Sequence, residues 1–315
     1  MTAAGGVKRR GGTAEPHHNF DLIPADISAI MPCLRYDRAL LAAATVAVAL
    51  AAAAAPARAQ GRLDGLYTAS LAGIPLGKGE WIVDIGDGQY SAAVSGVTTG
   101  LLRVFASGQG TGMARGAIAS NGALVPSLYA ATITANKRTE ELRMALAGGV
   151  VKDLSIEPPT PPVPERIPVT DAHRRGVLDP MTASLVRVPG NADPMSPEAC
   201  AQGASVFDGR LRYDLTMAFR RMETVKAEKG YAGPVVVCTV FFNPIAGYIP
   251  DRPAIKYLTR QRDMEVWLAP IAGTRIVVPY RVAIPTPLGT AALQATEFVS
   301  APRPPRPTPT SARVQ

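Results

Sequence analysis

Few residues in this chain are of a type that does chemistry. There are three cysteines, Cys33, Cys200 and Cys238, and three histidines, His17, His18 and His173. Two sulfurs can join in a disulfide, share a metal ion with other ligands, or supply a thiolate nucleophile. A zinc site needs about four Cys or His ligands, and beyond residue 60 the chain offers one histidine, His173. A reactive thiolate needs an exposed, electropositive niche with a base at hand, whereas Cys238 stands in "PVVVCTVFFNP" among Val237, Val240, Phe241 and Phe242. His173 has Asp171 two residues before it, which could form an acid/base pair. "TDAHRRG" follows directly on a proline-rich stretch, however, and reads as a solvated loop. Gly108, Gly110 and Gly112 alternate in "SGQGTGMARG" but lack the Lys-Ser/Thr of a phosphate-binding loop, so a turn or bulge is expected there. No Gly-x-Ser-x-Gly elbow occurs, and no carboxylate pair stands out from the turn and surface acids. These observations assign no catalytic, metal-binding or cofactor-binding residue, and the expectation is a protein that is not an enzyme.

The compartment these sulfurs meet is set upstream. "MPCLRYDRALLAAATVAVALAAAAAPARAQ", 31–60, has the three parts of a secretory signal: Arg35 and Arg38, an apolar run from Ala39 to Ala55, and the small residues Ala57 and Ala59. Cleavage is expected before Gln60. The alternative, an uncleaved anchor, is disfavoured because the run falls short of the ~20 residues a span needs and is mostly alanine. Residues 1–30 are polar, Gly-rich and precede Met31, so they read as a start-site artefact or disordered leader, and nothing functional attaches to His17 or His18. Cleavage removes Cys33 and lowers the net charge from +8 to about +6. Cys200 and Cys238 remain, bound for the periplasm. An even pair in an oxidising compartment is read first as a disulfide, with two buried free thiols as the alternative. The loop closed would span about 39 residues, for which chain entropy gives roughly 4 kcal/mol.

The elements that would position these residues are strands. In "GEWIVDIGDGQYSAAVSG", Trp81, Val83 and Ile85 alternate on one arm and Tyr90, Ala92 and Val94 on the other, with Asp87-Gly88 as a tight turn. Asn121-Gly122 and Gly148-Gly149 repeat the device, and a first strand is expected to turn over Gly73 to Gly79. "TTGLLRVFASG", 98–108, reads as a short helix. "EPPTPPVPERIP", 157–168, has six prolines that cannot donate ladder hydrogen bonds, and is either a linker or a crossover within one sheet. Asp179 and Pro180 then cap and open a short helix ending near Val188. A second block of strands follows: "SVFDGRLRYDLTMAFRRMETV", "PVVVCTVFFNP", "DMEVWLAP", "TRIVVPYRVAIP" and "GTAALQATEFVS". The tail 301–315 has no apolar periodicity and is expected to be disordered. It also argues against an outer-membrane barrel. The fold class is therefore mostly β: one domain over 60–300, a large antiparallel curled sheet, either an open barrel or a β-spiral, with one or two short helices.

Arg220, Arg221, Lys226 and Lys229 cluster at one hairpin, but Glu223 and Glu228 interrupt them, and the surface reads as mixed and solvated. Nucleic-acid binding would need a denser basic patch with stacking aromatics. A curled sheet with few helices to cover its apolar face either fills its core or leaves a trough, and a trough would suit a lipid or another hydrophobic ligand.

Several stretches carry a resemblance. "YTASLAGIPLGKGEW", "PEACAQGASVFDGRLRYDLTM", "GYAGPVVVCTVFFNPIAGYIP", "EVWLAPIAGTRIVVPYRV" and "LGTAALQATEF" resemble the exported family catalogued as domain of unknown function 3108, from Gram-negative envelopes, over about 62–300. The resemblance implies no assigned activity. It is also similar in kind to the curled-sheet envelope proteins that include lipoprotein carriers, which implies an unclosed barrel or β-spiral. Asp208, Arg210, Tyr213 and Arg275 match the family pattern, and an Asp-Gly turn with a paired arginine implies a structural role for them. Together these readings imply a non-catalytic periplasmic protein of the envelope that binds a lipid or lipoprotein-like ligand. The alternatives are an interaction protein with an envelope partner and, more remotely, a hydrolase using His173.

Overall fold

Period-two alternation organises the first half of the chain into hairpins. In the computed structural model, which describes residues 60–99, 108–191 and 193–303, seven strands follow one another: β1 (Gly61–Leu71), β2 (Ile74–Gly86), β3 (Gln89–Thr98), β4 (Gly108–Ile118), β5 (Leu124–Ala135), β6 (Arg138–Ala147) and β7 (Val150–Glu157). Trp81, Val83, Ile85, Tyr90 and Ala92 are buried as the alternation requires. The Asp87-Gly88, Asn121-Gly122 and Gly148-Gly149 turns fall where expected. Asn136-Lys137 adds a turn that composition did not announce, with φ positive at both residues, as a two-residue hairpin matched to strand twist prefers. The first turn is narrower than the Gly73–Gly79 segment: it is Ala72-Gly73 alone, and Gly77 and Gly79 lie inside β2. Those glycines allow β3 to approach, since a Cβ at Gly79 would lie 2.7 Å from the Ser95 carbonyl oxygen.

A crossover over 158–203 holds the helical pieces of this half: a 3₁₀ turn Asp171–Arg174, helix α1 (Pro180–Ala183), the two-residue strand β8 (Val186–Arg187) and a second 3₁₀ turn Pro197–Ala201. Helix α1 stops well short of Val188, because Val186 and Arg187 are extended as β8 and pair with a later strand. The remaining elements are β9 (Ala204–Phe207), β10 (Arg212–Lys226), β11 (Lys229–Gly230), β12 (Ala232–Ala246), α2 (Pro253–Arg260), β13 (Glu265–Pro270), β14 (Ile276–Thr286) and β15 (Gly289–Pro302). Helix α2 is an element the strand reading passed over. β15 runs to Pro302, pairing with Gly61, two residues into the segment expected as tail. The signal segment, the leader, residues 304–315 and positions 100–107 of the helix expected over 98–108 lie outside the described residues.

All fifteen described strands belong to one sheet, ordered β7-β6-β5-β4-β3-β2-β1-β15-β14-β13-β12-β10-β9, with β11 on β15 and β8 on β14. Neighbours along this path are antiparallel. The proline-rich segment is thus part of a crossover within one sheet. The first and last strands, β1 and β15, meet in the middle, and the sheet's two edges are β7 and β9, which do not pair with each other. The crossover bridges them: Val177 N donates to Gly149 O (3.0 Å), Leu178 N to Ser205 O (2.8 Å), and Phe207 N to Leu178 O (2.9 Å). Met144, Leu146, Val177 and Phe207 pack as a cluster beneath this seam.

Strands β12–β14 are buried on both faces. Val235, Val237, Trp267, Ala269 and Val278 join the main core with Leu63, Val83 and Phe298. The alternate residues Val236, Cys238, Val266, Leu268 and Val277 pack under the crossover residues Val188, Ala199 and Cys200. Two-sided burial is what the unbroken apolar run around Cys238 encodes.

Candidate functional site

The Asp-Pro pair sets the local geometry of the site. Asp179 caps α1: its Oδ1 accepts from Met181 N (3.0 Å) and Thr182 N (2.9 Å), while Pro180 needs no partner at the first helical position. Its Oδ2 accepts from the Thr182 hydroxyl (2.5 Å). With that proton committed, Thr182 Oγ1 accepts from the Tyr90 hydroxyl of β3 at 2.8 Å. Asp179 and Thr182 are fully buried. Burial holds the Asp179 carboxyl above its ordinary range, against the hydrogen bonds that favour the charged form. Burial likewise raises the Tyr90 and Tyr213 phenols and pushes Tyr129 up to about 12.

Four residues of helix cannot fill the space the sheet surrounds, and apolar room is left on both sides of α1. One cavity, of about 490 Å³, lies between α1, β8 and strands β9, β10 and β12–β14. Leu178, Leu185, Leu215, Met217, Val240 and Val266 wall it, with Tyr213, Thr182, Arg187 and Gln202 as polar groups. A second, of about 350 Å³, is walled by Tyr67, Trp81, Val94, Tyr129, Met181 and Leu293. Pro180, Ser184, Pro279 and Val282 line both, so α1 stands as a partition between them. Each lies within the ~300–1,000 Å³ typical of small-molecule sites. Such an arrangement can hold an apolar body and orient it with a few hydroxyls.

The residues singled out by sequence fall into separate places. Cys200 and Cys238 form a disulfide with Cα atoms 5.5 Å apart, tying the second 3₁₀ turn to β12. Asp208 accepts from Arg210 N (2.8 Å) and Leu211 N (2.6 Å), making the turn between β9 and β10. Arg210 reaches from that turn to Glu140 on β6 and to Thr160 Oγ1 (2.8 Å), linking the β9–β10 turn to β6 and to the crossover. Tyr213 lines the larger cavity and packs on Phe242. Arg275 donates to the carbonyls of Val188 (3.0 Å) and Pro189 (2.9 Å), fastening the crossover to β14. Among the four matched residues, Tyr213 alone lines either cavity beside α1.

His173 is half-buried, and its Nδ1 accepts from Thr170 N (3.1 Å) at the start of its 3₁₀ turn. Gly108, Gly110 and Gly112 lie along β4 in regular pairing with β3 and β5, not at the turn or bulge their spacing suggests. The basic hairpin is ion-paired: Arg220 and Arg221 with Glu265, Arg221 with Glu223, and Lys229 with Glu297. Arg221 and Arg281 also flank the Trp267 ring. No group of three or more His, Cys, Asp or Glu suited to a metal occurs among the described residues. No described helix is long and apolar enough to cross a membrane.

Tyr90 and Thr182 were not legible as a pair, because ninety-two residues separate them and neither sits in a motif. The cap signal at Asp179 was legible; its burial was not.

A family model for "Protein of unknown function (DUF3108)" matches residues 66–296, most of the chain. The chain belongs to the DUF3108 family. No curated protein matches it. Among solved structures, this DUF3108 protein is similar to a "Beta-barrel-like Protein of Domain of Unknown Function DUF1849 from Brucella abortus". The identity is 9%, the TM-score 0.39, and the match covers 77% of this chain and 98% of that one.

Proposed function

We propose that this DUF3108 protein is a non-catalytic periplasmic component of the cell envelope that binds a lipid or lipoprotein-like ligand beside α1. The supporting observation is the pair of adjoining apolar cavities, about 490 and 350 Å³, on either side of α1. An apolar chamber with a few buried hydroxyls favours a ligand with a long hydrocarbon part over a sugar or nucleotide. Export is supported by the signal-like segment 31–60 and by the single pair of cysteines that follows it.

The test is to purify the exported protein without detergent and extract it for lipid mass spectrometry, in parallel with titration of the neutral fluorophore N-phenyl-1-naphthylamine. The Val282→Trp variant, which fills space in both cavities, should lose most of the probe signal and the lipid while keeping its fold. Absence of both lipid and probe binding in the unaltered protein refutes the reading.

One observation favours a second reading, an interaction with an envelope protein. Ile74 and Leu288, 61% and 76% exposed, flank turns that touch, since Ala72 N donates to Thr290 O at 2.9 Å. Ile74→Asp with Leu288→Asp should abolish co-purification of a partner on this reading and leave lipid content unchanged.

A further inference from the structure

A third cavity, of about 420 Å³, lies where the proline-rich part of the crossover runs along β7 and the Asp208–Arg210 turn. Its walls are apolar on one side, from Leu154, Ile156, Val163 and Val169, and three arginines line it: Arg166, Arg174 and Arg210. No carboxylate is among the lining residues.

The arginines differ in how they are satisfied. Arg210 is neutralised by Glu140 and bonds Thr160. Arg166 gives one N–H to the Gly247 carbonyl (2.7 Å) and has no carboxylate partner among the described residues. The Arg174 guanidinium makes neither an ion pair nor a hydrogen bond with any described residue. The Nε atoms of both Arg166 and Arg174 are buried without an acceptor among the described residues. Two guanidinium groups without counter-charge beside apolar walls are costly to hold together unless an anion joins them.

We propose that this pocket binds a phosphate monoester group. Two uncompensated guanidinium charges match a dianion, and the planar N–H forks of arginine suit phosphate oxygens in pairs. A carboxylate would neutralise one of the two. The pocket is larger than phosphate alone, and its apolar wall accommodates the organic part of an ester. The same oxyanion could arrive as free phosphate or as the headgroup of a lipid such as a phosphatidic acid.

The site is separate from the cavities beside α1, with the Met144, Val177 and Phe207 cluster at the seam from which it opens. Calorimetric titration with inorganic phosphate and with monomeric dihexanoyl phosphatidic acid distinguishes the two sources. Phosphate binding with no gain from the acyl chains assigns the site to the free ion, and tighter binding of phosphatidic acid assigns it to a lipid.

Arg174→Gln is the decisive variant, because the Arg174 side chain holds no bond that folding depends on. It should weaken binding about tenfold or more, the loss of charge-assisted hydrogen bonds to one oxyanion. Arg175→Gln, one residue away and outside the pocket, should change it little, and neither variant should unfold below the temperature of the parent. The proposal is overturned if neither probe binds, if Arg175→Gln weakens binding as much as Arg174→Gln, or if dihexanoyl phosphatidylcholine binds as well as phosphatidic acid.

Discussion

Replacing Cys200 with alanine should cost this protein about 4 kcal/mol of stability, and the structure fixes why that number should appear once. Cys200 and Cys238 are 38 residues apart, and a cross-link of that span removes loop-closure entropy from the unfolded chain worth about 4 kcal/mol at room temperature. Both sulfurs are buried, 1% and 0% exposed, in a cluster of Val188, Ala199, Val236 and Leu268. The thiol left behind in a single variant is therefore a small hydrophobe among hydrophobes and adds little. Cys238→Ala should cost the same. The double variant loses the same cross-link only once, plus about 1 kcal/mol for the second sulfur's packing. The two substitutions should thus be non-additive by roughly 3–4 kcal/mol. Urea unfolding without reductant, followed by the fluorescence of Trp81 and Trp267, measures all four proteins on one scale. Set against the ~5–15 kcal/mol of a typical domain, each single change should shift the midpoint far enough to be unmistakable. Losses that add, or single variants within about 1 kcal/mol of the parent, would refute a staple acting through the unfolded chain.

Asp179→Asn tests the buried carboxyl. Its folded pKa is raised by burial, so the folded state binds the proton more tightly. The stability it contributes is then greatest below the unfolded value of about 4 and declines as pH rises through the folded value. Unfolding of parent and variant compared at about pH 4 and pH 7 should show the parent losing ground to the variant as pH rises; a parallel pair of curves contradicts the assignment. Gly230→Ala should destabilise by about 3 kcal/mol or more, since Gly230 has φ +96 and a Cβ there would meet the Phe298 carbonyl oxygen at 2.2 Å, detaching β11 from β15. Gly73→Ala, also at positive φ but with nothing within 4 Å, should cost only about 1 kcal/mol. Equal losses at the two positions in thermal unfolding would show that conformation, not contact with β15, sets the cost.

The strands were legible because each is written locally. Trp81, Val83 and Ile85 on one side of Asp87-Gly88 and Tyr90 and Ala92 on the other specify a hairpin without reference to the rest of the chain. The cysteine pair was legible because only two cysteines lie beyond residue 60. The class of sheet followed from strand count and the scarcity of helices. What could not be read was everything that depends on which distant strands meet. The pairing of β1 with β15 joins residues more than two hundred positions apart. Helix α2 was missed because Pro253–Arg260 carries no side-chain cap at its start, and its half-buried Ile255, Tyr257 and Leu258 make too short a stripe to show a helical period. Arg166 and Arg174 carry no local signal of a site, since only the fold shows that their Nε atoms are buried.

The topology itself explains why this fold keeps space inside. Because β1 and β15 pair in the middle of the sheet, the edges β7 and β9 belong to the middle of the chain, and the segment joining them must cross the gap between them. Had β7 and β9 paired directly, the strands would have closed a barrel. Instead the backbone at Val177 and Leu178 supplies the bonds that seal the seam, bonding to both edges. The residues after the seal are then obliged to enter the enclosed space, where Asp179 and Pro180 end their descent in four residues of helix. So short a plug excludes water from Asp179 and Thr182 but does not fill the space around it, and the two cavities on its flanks are the remainder. The residues before the seal run outside along β7 with their prolines, which give no ladder bonds to either edge, and the arginine-lined pocket opens beneath them. Lengthening α1 by a turn would therefore be expected to close the apolar cavities without touching the outer pocket, which makes the two proposed sites separable by design.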